Sequence, residues 1–123
     1  SITAAAGCVV TLPAASAGLN YSFHLAATVT SNTFTINAAS SADVLQGNII
    51  CVDKDEPGSV TATNAGATIA VDTPAADDHQ IVQDGDTKGR FLGTKIDYVC
   101  ITDALWYVSG FNSFNGSVAT MFT

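Results

Sequence analysis

Residues 93–110 constrain the fold more than any other stretch. Gly93-Thr94-Lys95-Ile96-Asp97-Tyr98-Val99-Cys100-Ile101 has the composition of a strand, Thr102-Asp103-Ala104-Leu105 that of a turn, and Trp106-Tyr107-Val108-Ser109-Gly110 that of the returning strand. β-Branched and aromatic side chains suit a pleated, half-buried surface. An earlier pair echoes this hairpin. Tyr21, Phe23 and Leu25 point one way and Asn20, Ser22 and His24 the other; after Thr30-Ser31-Asn32, Phe34 and Ile36 alternate with Thr33, Thr35 and Asn37. The two segments read as the clearest antiparallel pair in the chain.

The same reading extends along the sequence. Cys8, Val10 and Leu12 share a face of a strand that Pro13 and Gly18 close off. Residues 38–43 are small and polar, and lead through Val44-Leu45-Gln46-Gly47 to a strand over 48–52. A charged loop, 53–58, comes next, then a short strand at 59–63, a turn at Asn64-Ala65-Gly66 and an alternating run at 67–71. Residues 72–90, rich in Asp and Gly, read as a long exposed loop around the brief apolar pair Ile81-Val82. No segment has a helical period. About eight short strands at regular spacing predict an all-β chain, a single-domain antiparallel β-sandwich or barrel spanning 1–123. Residues 111–123 form an apolar tail, with Phe111, Phe114, Val118, Met121 and Phe122, expected to dock on the domain or on a neighbouring subunit.

A chain of 123 residues buries enough surface for a real core. Apolar residues make up 47%, but many are Ala, so the core is expected to be thin and sheet-like. Charged residues are only 12%, about half the usual ~25%, which leaves wide neutral surfaces suited to contact with other proteins. The net charge is −7 with four basic residues, Lys54, Lys88, Arg90 and Lys95. That is too few cations to follow a phosphate backbone, so direct nucleic-acid binding is rejected.

Cys8, Cys51 and Cys100 are odd in number and match no zinc spacing. Each lies in an apolar run, so they read as free thiols acting as small hydrophobes, in keeping with folding in a reducing cytosol. No basic segment precedes an apolar leader core, and no apolar run reaches membrane-spanning length, so no membrane association is expected. Ser1 fits removal of an initiator Met and upstream processing equally well.

Candidate chemistry is sparse. His24 and His79 are the only histidines; Ser22 lies two residues from His24, but a shared strand face is not a triad and there is no nucleophile-elbow motif. Asp72, Asp77, Asp78, Asp84 and Asp86 around Gly85 have the chemistry of a calcium loop without its spacing, and read as turn-forming carboxylates. No cofactor motif and no metal site is assigned. Trp106 reads as core, and Tyr107 as an edge or interface residue.

Val9-Val10-Thr11-Leu12-Pro13-Ala14-Ala15-Ser16-Ala17-Gly18-Leu19-Asn20-Tyr21-Ser22-Phe23 resembles a recurrent opening of small tailed-phage virion proteins. Thr30-Ser31-Asn32-Thr33-Phe34-Thr35-Ile36, Ala38-Ala39-Ser40-Ser41-Ala42-Asp43 and the closing hairpin continue the likeness. The final turn departs from it: Asp103-Ala104-Leu105 stands where the group often has Asp-Gly-Thr, and 53–58 and 72–90 have no counterpart. The resemblance implies a non-enzymatic capsid decoration (cement) protein, made in the bacterial cytoplasm and bound to the outer surface of the phage head. Its partner would be the major capsid protein, and a homo-oligomer, plausibly a trimer, is implied. Tyr107, Phe111, Phe114, Met121 and Phe122 are the interface candidates. The alternative is a carbohydrate- or receptor-binding β domain of a phage accessory protein.

Overall fold

The computed structural model describes residues 2–3, 5–53, 69–89, 91–115 and 117–123. The strand expected at 59–63, its turn at 64–66, most of the charged loop 53–58 and the start of the 67–71 run lie outside the described residues. Among the described residues there are eight strands and no helix: β1 (Cys8–Thr11), β2 (Asn20–His24), β3 (Phe34–Asn37), β4 (Val44–Asp53), β5 (Ile69–Asp72), β6 (Gln80–Gln83), β7 (Lys95–Thr102) and β8 (Leu105–Phe114). They form a three-stranded sheet, β1-β3-β6, and a five-stranded sheet, β2-β7-β8-β4-β5.

Both sheets are mixed, which corrects the expectation of purely antiparallel pairing. β1 lies parallel to β3 and β4 parallel to β8; the other neighbours are antiparallel. Parallel neighbours need crossover connections, and the chain makes them by alternating between sheets. β2 and β3 are therefore not a hairpin. β2 pairs with β7, and β3 sits between β1 and β6. The connection between them changes sheet, burying Val29 and donating Thr30 N–H to the Ala5 carbonyl at 2.7 Å. The 72–90 stretch is likewise not all loop: Gln80–Gln83 is β6, with Ile81 fully buried opposite Ile36. β7 and β8 do form the expected hairpin, with a bulge between Cys100 and Thr102.

Period-two alternation on the long strands builds the core. β7 turns Ile96, Tyr98 and Cys100 inward; β8 turns Trp106, Val108, Asn112 and Phe114; β4 turns Leu45, Ile49 and Cys51. All of these but Asn112 meet Phe34, Ile36 and Ile81 of the smaller sheet in one apolar cluster. Aromatic rings meet edge to face at its centre: Phe23 on Tyr98 at 5.7 Å and Tyr98 on Trp106 at 6.3 Å between centroids. Removing a side chain of this size from such a core costs about 3–5 kcal/mol.

Residues 117–123 close the smaller sheet. Phe122 bridges Ile81 antiparallel, Val82 N–H donates to the Met121 carbonyl, and Thr123 and Gln80 exchange bonds in both directions. Met121 and Phe122 are buried in the core of this same chain. Asp72, at the end of β5, accepts the Met121 N–H at 2.7 Å and so ties the segment to the larger sheet.

One buried polar hub interrupts the apolar core. Asn112 Oδ1 accepts from Gln83 Nε2 at 2.8 Å and from Thr94 Oγ1 at 3.4 Å, while its Nδ2 donates to the Lys88 carbonyl at 3.1 Å. Gly89 lies so close to this amide that a Cβ would overlap it. The 84–89 turn can therefore reach the core only with glycine there.

Candidate functional site

The outer face of the five-stranded sheet carries the side chains that the core does not use. Cross-strand register sets them in rows. One row runs His24, Lys95, Phe111, Ile50, Val71 from edge to edge. The next is Ser22, Asp97, Ser109, Asn48, and the third is Asn20, Val99, Tyr107, Gln46. Beyond the first row lie Ser113, Val52 and Ile69.

The face has two characters. Phe111 (42% exposed), Ile50 (47%), Val71 (61%) and Ile69 (69%) make an apolar corner across β8, β4 and β5. Water gains nothing from such a cluster, and contiguous exposed apolar surface marks contact with another molecule. The middle is mostly polar, with Tyr107 (42% exposed) and its register partner Val99 (41%) standing out of it.

At the β2–β7 end, Ser22, His24, Asp97 and Lys95 come together. The Ser22 hydroxyl donates to Asp97 Oδ1 and lies 3.1 Å from His24 Nε2; Lys95 Nζ is 2.6 Å from Asp97 Oδ2. Partial burial pushes the Asp97 carboxyl up, but the Lys95 and Ser22 hydrogen bonds, with the Lys95 and His24 charges, hold it below the ordinary carboxylate value. The order of groups differs from a catalytic triad. Asp97 is bonded to the serine itself, whereas a triad carboxylate orients the imidazole.

The aspartates of 72–90 act on backbone. Asp84 Oδ1 accepts the Asp86 and Lys88 N–H groups at 3.0 Å each, and Asp78 Oδ2 accepts Ala75 N–H at 2.6 Å. This is the turn-forming role read from the sequence. No three potential metal-binding side chains gather among the described residues. His79 is half-buried, with Nδ1 3.3 Å from the Asp77 carbonyl. The cysteines are free: Cys51 and Cys100 buried, Cys8 half-buried.

Of the five interface candidates, Tyr107 and Phe111 lie four residues apart on the outward side of β8. Phe114, Met121 and Phe122 are instead core residues of this chain, none more than 2% exposed. The apolar corner brings in Ile50, Val71 and Ile69, which sequence reading passed over. A signal existed: in Ile49-Ile50 of a strand, one of the two must face outward.

No protein-family description, no curated protein and no solved structure matches this chain.

Proposed function

We propose that this chain is a non-enzymatic adhesive module, a decoration protein that binds the outer surface of an assembled phage head and bridges major capsid protein subunits. Its two sheets would pack as a sandwich that presents one outer face to the partner. The observation that supports this reading is the apolar corner Phe111, Ile50, Val71 and Ile69. These side chains project from adjacent strands of a sheet whose other face is committed to the core, so the contact surface is held rigid before binding. The phage assignment rests on the resemblance of 9–23, 30–36, 38–43, 93–96 and 106–110. A low-charge face adheres weakly at one site, and repetition over a symmetric shell multiplies weak contacts into strong retention.

The test uses purified protein and heads stripped of accessory proteins. Saturable binding at a fixed stoichiometry, with greater particle survival on heating or osmotic shock, is the expected result. Phe111→Ser and Ile50→Ser should each weaken binding by about tenfold or more, equal to ~1.4 kcal/mol, while leaving the fold intact. Absence of binding, or binding indifferent to both substitutions, would refute the assignment of this face.

A further inference from the structure

The polar middle of the same sheet face has a chemistry of its own. Tyr107 lies on the outward side of β8, flanked in register by Gln46 on β4 and by the exposed Val99 on β7. The adjoining row supplies Asn48, Ser109, Asp97 and Ser22. Among the described residues, neither the Gln46 nor the Asn48 side-chain amide is used in a hydrogen bond, so both retain donors and an acceptor for a ligand. Asp97 is the one carboxylate in these two rows, and Lys95 lies 2.6 Å from it, so the patch carries little net charge.

We propose that this patch is a binding site for a neutral oligosaccharide, with Tyr107 as the stacking platform and Asn48, Gln46 and Ser109 as the hydroxyl-reading groups. A pyranose ring has an apolar C–H face and a rim of hydroxyls. It matches a flat aromatic side chain standing beside amides, which donate and accept at once. Charge argues for a neutral ligand. The chain is at −7, and among the described residues the lysine beside the patch, Lys95, is already paired with Asp97. A phosphorylated, sulfated or sialylated ligand would find no unpaired lysine in these rows among the described residues, and would meet the field of an acidic protein. The site is separate in composition from the Phe111 corner and does not depend on that corner's partner.

The experiment is a glycan array on the full chain, with neutral and acidic oligosaccharides as separate arms, followed by titration calorimetry of the best neutral binder. Tyr107→Ala, Asn48→Ala and Phe111→Ser are titrated alongside, each first shown to melt like the parent. Saturable binding to a neutral oligosaccharide is expected, reduced about tenfold or more by Tyr107→Ala and several-fold by Asn48→Ala, and unchanged in Phe111→Ser. Three results would overturn the proposal: no neutral glycan bound, preference for the acidic arm, or affinity indifferent to Tyr107→Ala. Head binding lost in Phe111→Ser with glycan binding intact, and glycan binding lost in Tyr107→Ala with head binding intact, separate this site from the adhesive corner.

Discussion

Tyr98 packs its ring against Phe23 and Trp106, yet its hydroxyl, fully enclosed, has no hydrogen-bond partner among the described residues. Burial pushes its phenol well above the ordinary value of 10, because the phenolate would sit in the core. Burial likewise pushes the Cys51 thiol above its ordinary 9.0, opposed by the Asn112 hydrogen bond and supported by the nearby Asp72 charge. The native state holds both protons more tightly than the unfolded chain does. The contribution of these two groups to stability is therefore flat below about pH 9, and it falls as pH climbs from the ordinary values towards the raised ones. Tyr98→Phe removes the unpaired hydroxyl without opening a cavity. It should leave stability at pH 7 unchanged or raise it by up to about 1–2 kcal/mol, and should flatten the alkaline fall. Urea melts of both proteins between pH 7 and about 11 check this. A variant clearly less stable at pH 7 would mean that the hydroxyl has a partner in solution. Asn112 is the opposite case. Its amide is satisfied on both sides, so Asn112→Ala strands the donors of Gln83 and Thr94 and should cost about 2–4 kcal/mol in the same melts.

At the scale of the elements, the parallel pairing of β4 with β8 holds the larger sheet together, and its tightest point is Gly47. This residue has φ 119° inside a ten-residue strand, and a Cβ there would run into the Val108 carbonyl oxygen. Gly47→Ala should therefore destabilise by at least about 2 kcal/mol, where an ordinary surface substitution stays within about 0.5 kcal/mol. Thermal melts of the two proteins measure it; a change in Tm of only a degree or two would show that β4 can shift in register. The same element shows what a sequence can and cannot reveal. The sequence reading starts this strand at Asn48, with 44–47 leading into it, whereas β4 begins at Val44. Strand content was legible because alternation depends only on one strand having an inside and an outside. Strand partners were not, since parallel and antiparallel strands share that period. Thus β2 and β3, a hairpin by spacing, went to different sheets. The candidate site suffered in the same way. Tyr107 was legible as an outward residue from its own strand, but its neighbours Gln46 and Asn48 come from a segment about 60 residues away, placed there by the β4–β8 register.

Over the whole molecule, residues 117–123 join what the strands leave apart. Phe114 ends β8 in the five-stranded sheet, and Phe122, eight residues on, bridges β6 in the three-stranded one. Between them the chain donates Asn115 N–H to the Asp86 carbonyl and Ala119 N–H to the Thr87 carbonyl, so it also binds the 84–89 turn. Asp72 grips Met121 from the far edge of the larger sheet. An apolar tail of this kind invites reading as an adhesive surface, yet Met121 and Phe122 fill the chain's own core. Two consequences can be measured. Phe122→Ala should cost about 3–5 kcal/mol, a large share of the 5–15 kcal/mol that holds a typical domain. Deleting 117–123 removes both core side chains, leaves the Gln80–Gln83 edge unpaired and strands the Asp72 carboxylate, and the sum should exceed what the fold can lose. The truncated chain is expected to bind ANS and to lose the near-ultraviolet circular dichroism of the buried Trp106, while strand signal persists in the far ultraviolet. Adding a synthetic 115–123 peptide should restore part of the near-ultraviolet signal, because the groove between β6 and Asp72 would again be filled. A truncated chain that melts like the parent would show that the segment merely rests on the core, and would return Met121 and Phe122 to the list of residues available to a partner.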